Sequence, residues 1–213
     1  MGNMDTKMKQ LAAVILLLLA TTYATCRKNC TETNYSFEAG IKVYPDADSI
    51  AVNDTIWVET DFSSQLKDLQ RGNNIDYSGA GNLGTGIQLL KFIGGSINDP
   101  GVVPAIDSFT FLLEKGILIP PSSNANQVKT YNFNEESGRY KFKLGVVLNK
   151  KGVYALAISN AANVFRKNDK CTKASFAFKF LDTDNHVYFL EQNRPGYIPS
   201  GLELTNLYCF KVK

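Results

Sequence analysis

From Asn34 onward the apolar residues of this chain recur at every second position, and that period decides the fold class. Phe37, Ala39, Ile41 and Val43 alternate with Glu38, Gly40, Lys42 and Tyr44. Tyr140, Phe142, Leu144, Val146 and Leu148 share one face, with Lys141 and Lys143 opposite. Phe176, Phe178 and Phe180 alternate with Ser175, Ala177 and Lys179. Near the end, Tyr208, Phe210 and Val212 alternate with Cys209 and Lys211. Side chains of a strand point alternately to its two faces, so a period of two predicts strands with one buried face.

Between these runs the punctuation is Gly, Pro, Asn and Asp. Pro45-Asp46-Ala47-Asp48 ends the first strand, and a turn at Val52 to Thr55 feeds Ile56-Trp57-Val58-Glu59-Thr60. Apolar runs at 87–93 and 106–113 are separated by a Gly/Pro stretch, and Val153 to Ile158 suits a central strand. The tract 63–86 is polar and Gly-rich, with one short helical turn expected at Gln65 to Leu69. Many short strands between turn clusters predict an all-β fold, an antiparallel β-sandwich. Irregular loop insertions are expected at 63–86 and 191–205. With no internal repeat or obvious linker, residues 35–213 read as one domain.

The N-terminus predicts export. Lys7 and Lys9 precede an apolar run from Leu11 to Ala20, and small residues lead to Thr25 and Cys26. A basic start, a short apolar stretch and a small-residue exit make a signal peptide over 1–25. Ten apolar residues fall short of the roughly 20 that a spanning helix needs.

The segment from Leu19 to Cys26 resembles a bacterial lipoprotein signal, although Tyr23 and Thr25 stand where Leu and a small residue are usual. The resemblance implies an acylated Cys26 and a polar tether over 26–34; ordinary cleavage near Ala24 is the alternative. Asp54-Thr55-Ile56-Trp57-Val58 and Lys151-Gly152-Val153-Tyr154-Ala155-Leu156 resemble two edges of immunoglobulin-like domains. With the Cys26-Arg27-Lys28-Asn29-Cys30 start, the layout resembles small envelope lipoproteins of Bacteroidota-type Gram-negative bacteria. That resemblance implies an immunoglobulin-like sandwich held by lipid at the outer membrane, and it implies no reaction.

Charge and motifs narrow the function classes. A net charge of +3 over 213 residues, with no dense basic cluster, gives nucleic acid no electrostatic purchase. A Ser-His-Asp or Cys-His centre would have to use the one histidine, His186, which reads as a surface-loop residue. Cys26 and Cys30 lack a second ligand pair for zinc. Asp182-x-Asp184 fails the EF-hand spacing at Val187 and Asn193, which leaves only an irregular calcium site at Asp182, Asp184 and Asn185, or at Asp46 and Asp48. Gly79-Ala80-Gly81-Asn82-Leu83-Gly84 matches a dinucleotide pattern in letters only, because a strand rather than a helix follows it. It reads as a mobile loop. No cofactor or metal is expected.

Two further expectations concern sites. Among the four cysteines a Cys171–Cys209 disulfide is favoured, with Cys30 bonding to either partner as the competitor. Tyr77, Asn82, Tyr131 and Tyr197 fall in predicted loops, where exposed rings beside amides could stack on a ligand. The leading function is a non-catalytic binding or structural module with an unknown protein or glycan ligand. The alternatives are a hydrolase whose carboxylates meet only in the fold, the adjacent Glu135 and Glu136 themselves reading as a solvated hairpin turn, and an inhibitor presenting a loop such as 72–86.

Overall fold

In the computed structural model, the alternating runs are strands, and their apolar faces meet. The model describes residues 33–94, 101–121, 127–196, 200–201 and 203–213. They belong to a compact unit, Thr33–Lys213. Its strands are β1 (Thr33–Tyr44), β2 (Ser49–Ile50), β3 (Thr55–Ser63), β4 (Gln65–Lys67), β5 (Asn74–Asp76), β6 (Gly84–Phe92), β7 (Val102–Pro104) and β8 (Phe109–Lys115). They continue with β9 (Ile117–Ile119), β10 (Val128–Asn132), β11 (Asn134–Glu136), β12 (Arg139–Leu148), β13 (Gly152–Ile158), β14 (Ala161–Arg166), β15 (Asp169–Leu181) and β16 (Leu207–Val212). Two short helices, α1 (Tyr188–Asn193) and α2 (Glu203–Asn206), lie between β15 and β16. Among the described residues, no helix is long and apolar enough to cross a membrane.

The protein is all-β, and its described residues form two seven-stranded sheets and a two-stranded ribbon. The first sheet runs β11-β12-β3-β1-β15-β14, with β8 also on β12; the second runs β2-β16-β13-β6-β10-β9, with β7 also on β6. Most pairs are antiparallel, but β1 and β15 run parallel, as do β2 and β16. The β1–β15 register sets Phe37 beside Phe176, Ala39 beside Phe178 and Ile41 beside Phe180.

One core joins the two sheets. Phe37, Phe142, Phe176 and Phe178 come from the first, and Leu89, Tyr154, Leu156 and Phe210 from the second. Rings meet across the interface, Tyr131 with Phe142 at 5.4 Å and Phe180 with Tyr208 at 6.1 Å. Buried aromatics carry large apolar areas, and tilted or edge-to-face pairs at such distances add attraction.

Both expected insertions acquire structure. Gln65 to Lys67 is not helical: it forms β4 and pairs with β5, with Leu66 opposite Ile75. A period of two with a single buried residue, Leu66, fits a ribbon better than a helical turn. In the second insertion, α1 covers the outer face of the second sheet. There Phe189 and Leu190 pack with Phe92, Ala155, Leu207 and Cys209 in a separate apolar cluster.

That cluster explains why the favoured disulfide is not made. Cys209 is a buried thiol on β16, in the second sheet, packed under α1. Cys171 lies on β15, in the first sheet, and is disulfide-bonded, with a partner outside the described residues. The expectation treated the two strands as neighbours, whereas they belong to different sheets. Cys26 and its lipidation lie outside the described residues.

Candidate functional site

The loop tyrosines proposed as stacking platforms are core residues. Tyr77 and Tyr131 are buried among the aromatics of both sheets. The Tyr77 hydroxyl donates to the Val164 carbonyl at 2.6 Å. The Tyr140 hydroxyl donates to the Tyr77 carbonyl at 2.6 Å and accepts from the Ala80 N–H at 3.1 Å. Sequence could not find this, because a loop tyrosine that reaches inward has the same neighbours as one that reaches out. Burial pushes the phenols of Tyr77 and Tyr131 up to about 12. Tyr197 lies outside the described residues.

Asn82 is exposed, but its amide also serves the fold. Its Oδ1 accepts from the Phe165 N–H at 3.2 Å and its Nδ2 donates to the Asn163 carbonyl at 3.4 Å, which ties the Gly-rich segment to β14. The Gly79 N–H donates to Glu135 at 2.8 Å, and the Lys167 N–H to the Gly79 carbonyl at 2.7 Å. The segment 79–84 is therefore pinned along its length and runs directly into β6. It is neither a nucleotide cradle nor the mobile loop expected from the sequence.

The carboxylates are spent locally as well. Glu136 pairs with Lys115 and Lys141, each at 3.2 Å, and their ammonium groups hold its carboxyl below the usual range. Glu135 caps the Gly79 amide, so the adjacent pair faces two different duties. Asp182 pairs with Lys42 at 2.9 Å, and Asp48 accepts from the Tyr188 hydroxyl at 3.0 Å. Among the described residues, no group of three or more His, Cys, Asp or Glu side chains could hold a metal.

His186 is buried rather than superficial. Its Nδ1 lies 3.1 Å from the Cys209 carbonyl, and its Nε2 lies 3.0 Å from Asp184 and 3.7 Å from Asp46. Asp46 is also held by the Thr183 hydroxyl at 2.7 Å. Both ring nitrogens face oxygen acceptors, so the ring clamps loop 182–187 to β16 and to the turn after β1. A polar-looking sequence neighbourhood concealed this, since two of those oxygen partners, Cys209 and Asp46, are distant in the chain.

What stands open is apolar. β8 and β9 form one bent strand that leaves the first sheet and joins the second, as strands at sheet corners do. The bend is at Gly116, with φ +116°, where a Cβ would lie 2.9 Å from the Phe142 ring and 3.0 Å from the Asn132 carbonyl. Any other residue would be strained there in backbone and in space. In the bend lies a cleft of about 470 Å³, lined mainly by Ile106, Phe109, Phe111, Leu113, Leu118 and Tyr131, with Asp107, Thr110 and Lys129 as its polar members. A second hollow of about 220 Å³ adjoins it and shares Ile106, Asp107, Leu118 and Lys129. The Lys129 ammonium sits 5.2 Å above the Phe111 ring centre, a cation–π contact.

Five of the exposed aliphatic side chains among the described residues lie on β8, β9 and β10: Leu112 (46%), Leu113 (38%), Ile117 (57%), Leu118 (48%) and Val128 (43%). Leu113 and Leu118 line the cleft and Val128 the adjoining hollow, and a local concentration of exposed apolar side chains marks an interaction site better than scattered single ones do. In the sequence, Phe109 to Leu113 is part of an apolar run with nothing to mark it as exposed. The structure leaves it half covered because β8 lies at the edge of its sheet.

Fold and cleft together define a two-sheet β protein with an apolar mouth at one edge. No protein-family model matches the chain, and no curated protein matches it. Among solved structures, the chain is similar to the reeler domain of human F-spondin, at 12% identity and a TM-score of 0.35, over 87% of this chain and 99% of that one. It is also similar to the CupB6 tip adhesin of Pseudomonas aeruginosa, at 14% identity and a TM-score of 0.23. That match covers 70% of this chain and 43% of the adhesin chain.

Proposed function

We propose that this protein is a non-catalytic binding or structural module of the bacterial cell envelope. It is an immunoglobulin-like β-sandwich held to the outer membrane by lipid on Cys26. The observation that carries the binding reading is the contrast between its polar and apolar surfaces. The described histidine and the Glu135–Glu136 pair are engaged in tying loops and strands together, whereas an apolar cleft stands open at the sheet edge. A protein ligand suits that cleft better than a glycan. Phe, Leu and Ile make up most of its lining, beside Asp107, Thr110 and Lys129, and Tyr77 and Tyr131, expected from the sequence to stack on a ligand, are buried.

The cysteine count leaves one residue for the anchor. Of the four cysteines, Cys209 is a thiol and Cys171 is bonded, so acylation of Cys26 makes Cys30 the partner of Cys171. One acyl chain binds membranes only reversibly, so stable anchoring needs more than one on the new N-terminus. Mass spectrometry of the mature N-terminus should find an acylated Cys26, and unreduced peptide maps should join Cys30 to Cys171. Cys26→Ala should move the protein to the soluble fraction or leave it uncleaved, and Cys30→Ala should do neither. An unmodified Cys26 bonded to Cys171 would rule the anchor out.

A further inference from the structure

We infer that β8 is a self-pairing edge, so that two copies of this chain join into a dimer through β8 and close the apolar cleft over each other. Within the described residues, β8 pairs with β12 on one side, and no strand lies on its other side. Natural edge strands are blunted by charges, proline, bulges or shortness. β8 has seven residues, and its stretch Phe109-Thr110-Phe111-Leu112-Leu113 carries neither charge nor proline. Its one irregularity, at Lys143/Leu144 of β12, lies beyond that stretch. The cleft is lined by Thr110 as well as by Phe109, Phe111 and Leu113. Residues of both strand faces meet it, so it opens along the unpaired edge.

A second copy suits this edge through its register. A two-fold axis perpendicular to the sheet keeps inward residues inward, and placing it at Leu112, the midpoint of β8, engages the whole strand. Phe111 then lies opposite Leu113 of the second copy, and Leu112 opposite its own counterpart. The exposed leucines at 112 and 113 are thereby covered. The stretch from Phe109 to Leu113 carries no charge, so no like charges meet within it; Glu114 is the extra residue of the irregularity against β12, and Lys115 beyond it is held by Glu136 of its own chain. Once the expected signal peptide is removed, the chain's own segments outside the described residues match the edge less well. Gly95 to Pro100 has a single large apolar residue, Ile97, and ends in Asp99-Pro100; Ser122 to Asn126 is polar and small, Arg27 to Glu32 is polar, and Tyr197 to Pro199 is only three residues long. The inference is independent of the lipid anchor, although anchoring in one membrane would raise the local concentration of partners.

Cysteine cross-linking of the full chain, purified in detergent, tests the register directly. Residues directly opposite in an antiparallel pair have Cα atoms about 4.5–5.5 Å apart, within disulfide reach. Leu112→Cys should therefore give a disulfide-linked dimer under mild oxidation. Thr110→Cys should not, since its counterpart lies roughly 14 Å away at about 3.4 Å per residue. The double variant Phe111→Cys with Leu113→Cys, at positions opposite each other within the regular stretch, should cross-link as well. Leu112→Lys sets two ammonium groups face to face at an exposed position and should halve the mass measured by light scattering. A wild-type chain that is monomeric by light scattering would overturn the proposal, as would Leu112→Cys cross-linking no better than Thr110→Cys.

Discussion

Phe178→Ala is expected to destabilise the protein by about 3–5 kcal/mol, the usual cost of removing a buried ring. Phe178 is buried at the centre of the shared core, with Phe133 at 5.4 Å and Phe176 at 6.2 Å. Its neighbour across the β1–β15 pair is Ala39, so no larger side chain stands ready to collapse into the void. Against a total stability of about 5–15 kcal/mol for an ordinary domain, such a loss is large. Lys179, one residue on, points outward and pairs with Glu38 at the surface. Lys179→Ala should therefore stay within about 0.5 kcal/mol. Urea denaturation of both variants reads the difference, and equal losses would show that the β15 register is misassigned.

Alkaline pH should unfold the protein through its buried phenols. Burial lifts Tyr77 and Tyr131 to about 12 and pushes Tyr140 and Tyr208 up as well. In the unfolded chain these groups titrate near 10, so the unfolded state loses its protons first as pH rises. The stability that neutral phenols confer is thus complete below about pH 10 and falls as pH approaches 12. At about 1.36 kcal/mol per pKa unit, Tyr77 and Tyr131 each forfeit up to about 2.7 kcal/mol over that window. Circular dichroism across pH 8 to 12 should show cooperative loss of sheet beginning above pH 10. Tyr131→Phe, which removes one titrating group, should move the midpoint upward. An unchanged sheet signal and urea midpoint at pH 11.5 would contradict the burial of these rings.

The acid limb has a different origin. The Thr172 hydroxyl and the Arg166 guanidinium hold the Asp169 carboxyl at about 2. Amide hydrogen bonding from Ser36, with help from Arg71, lowers Asp68 as well. Stability from these depressed groups is complete above the ordinary carboxylate range and is lost as pH falls towards 2.

What the sequence determined by itself was parity. Alternation is a local property of extended backbone, so Phe37 to Val43, Tyr140 to Leu148 and Phe176 to Phe180 could each be assigned a buried and an exposed face. The structure bears those faces out. Pairing was decided only in three dimensions, because which strands become neighbours depends on the packing of the whole core. That is why Cys171 and Cys209, both on late strands, lie in different sheets, and why β1 runs parallel to β15. Loop residues depended on tertiary structure in the same way. Tyr77, Tyr131 and His186 look like surface groups beside polar neighbours, yet each turns inward to partners remote in the chain. The candidate site was the least legible feature. Phe109 to Leu113 has the composition of a core strand, and only its place at the sheet's edge, next to the bend at Gly116, leaves its apolar side chains half uncovered.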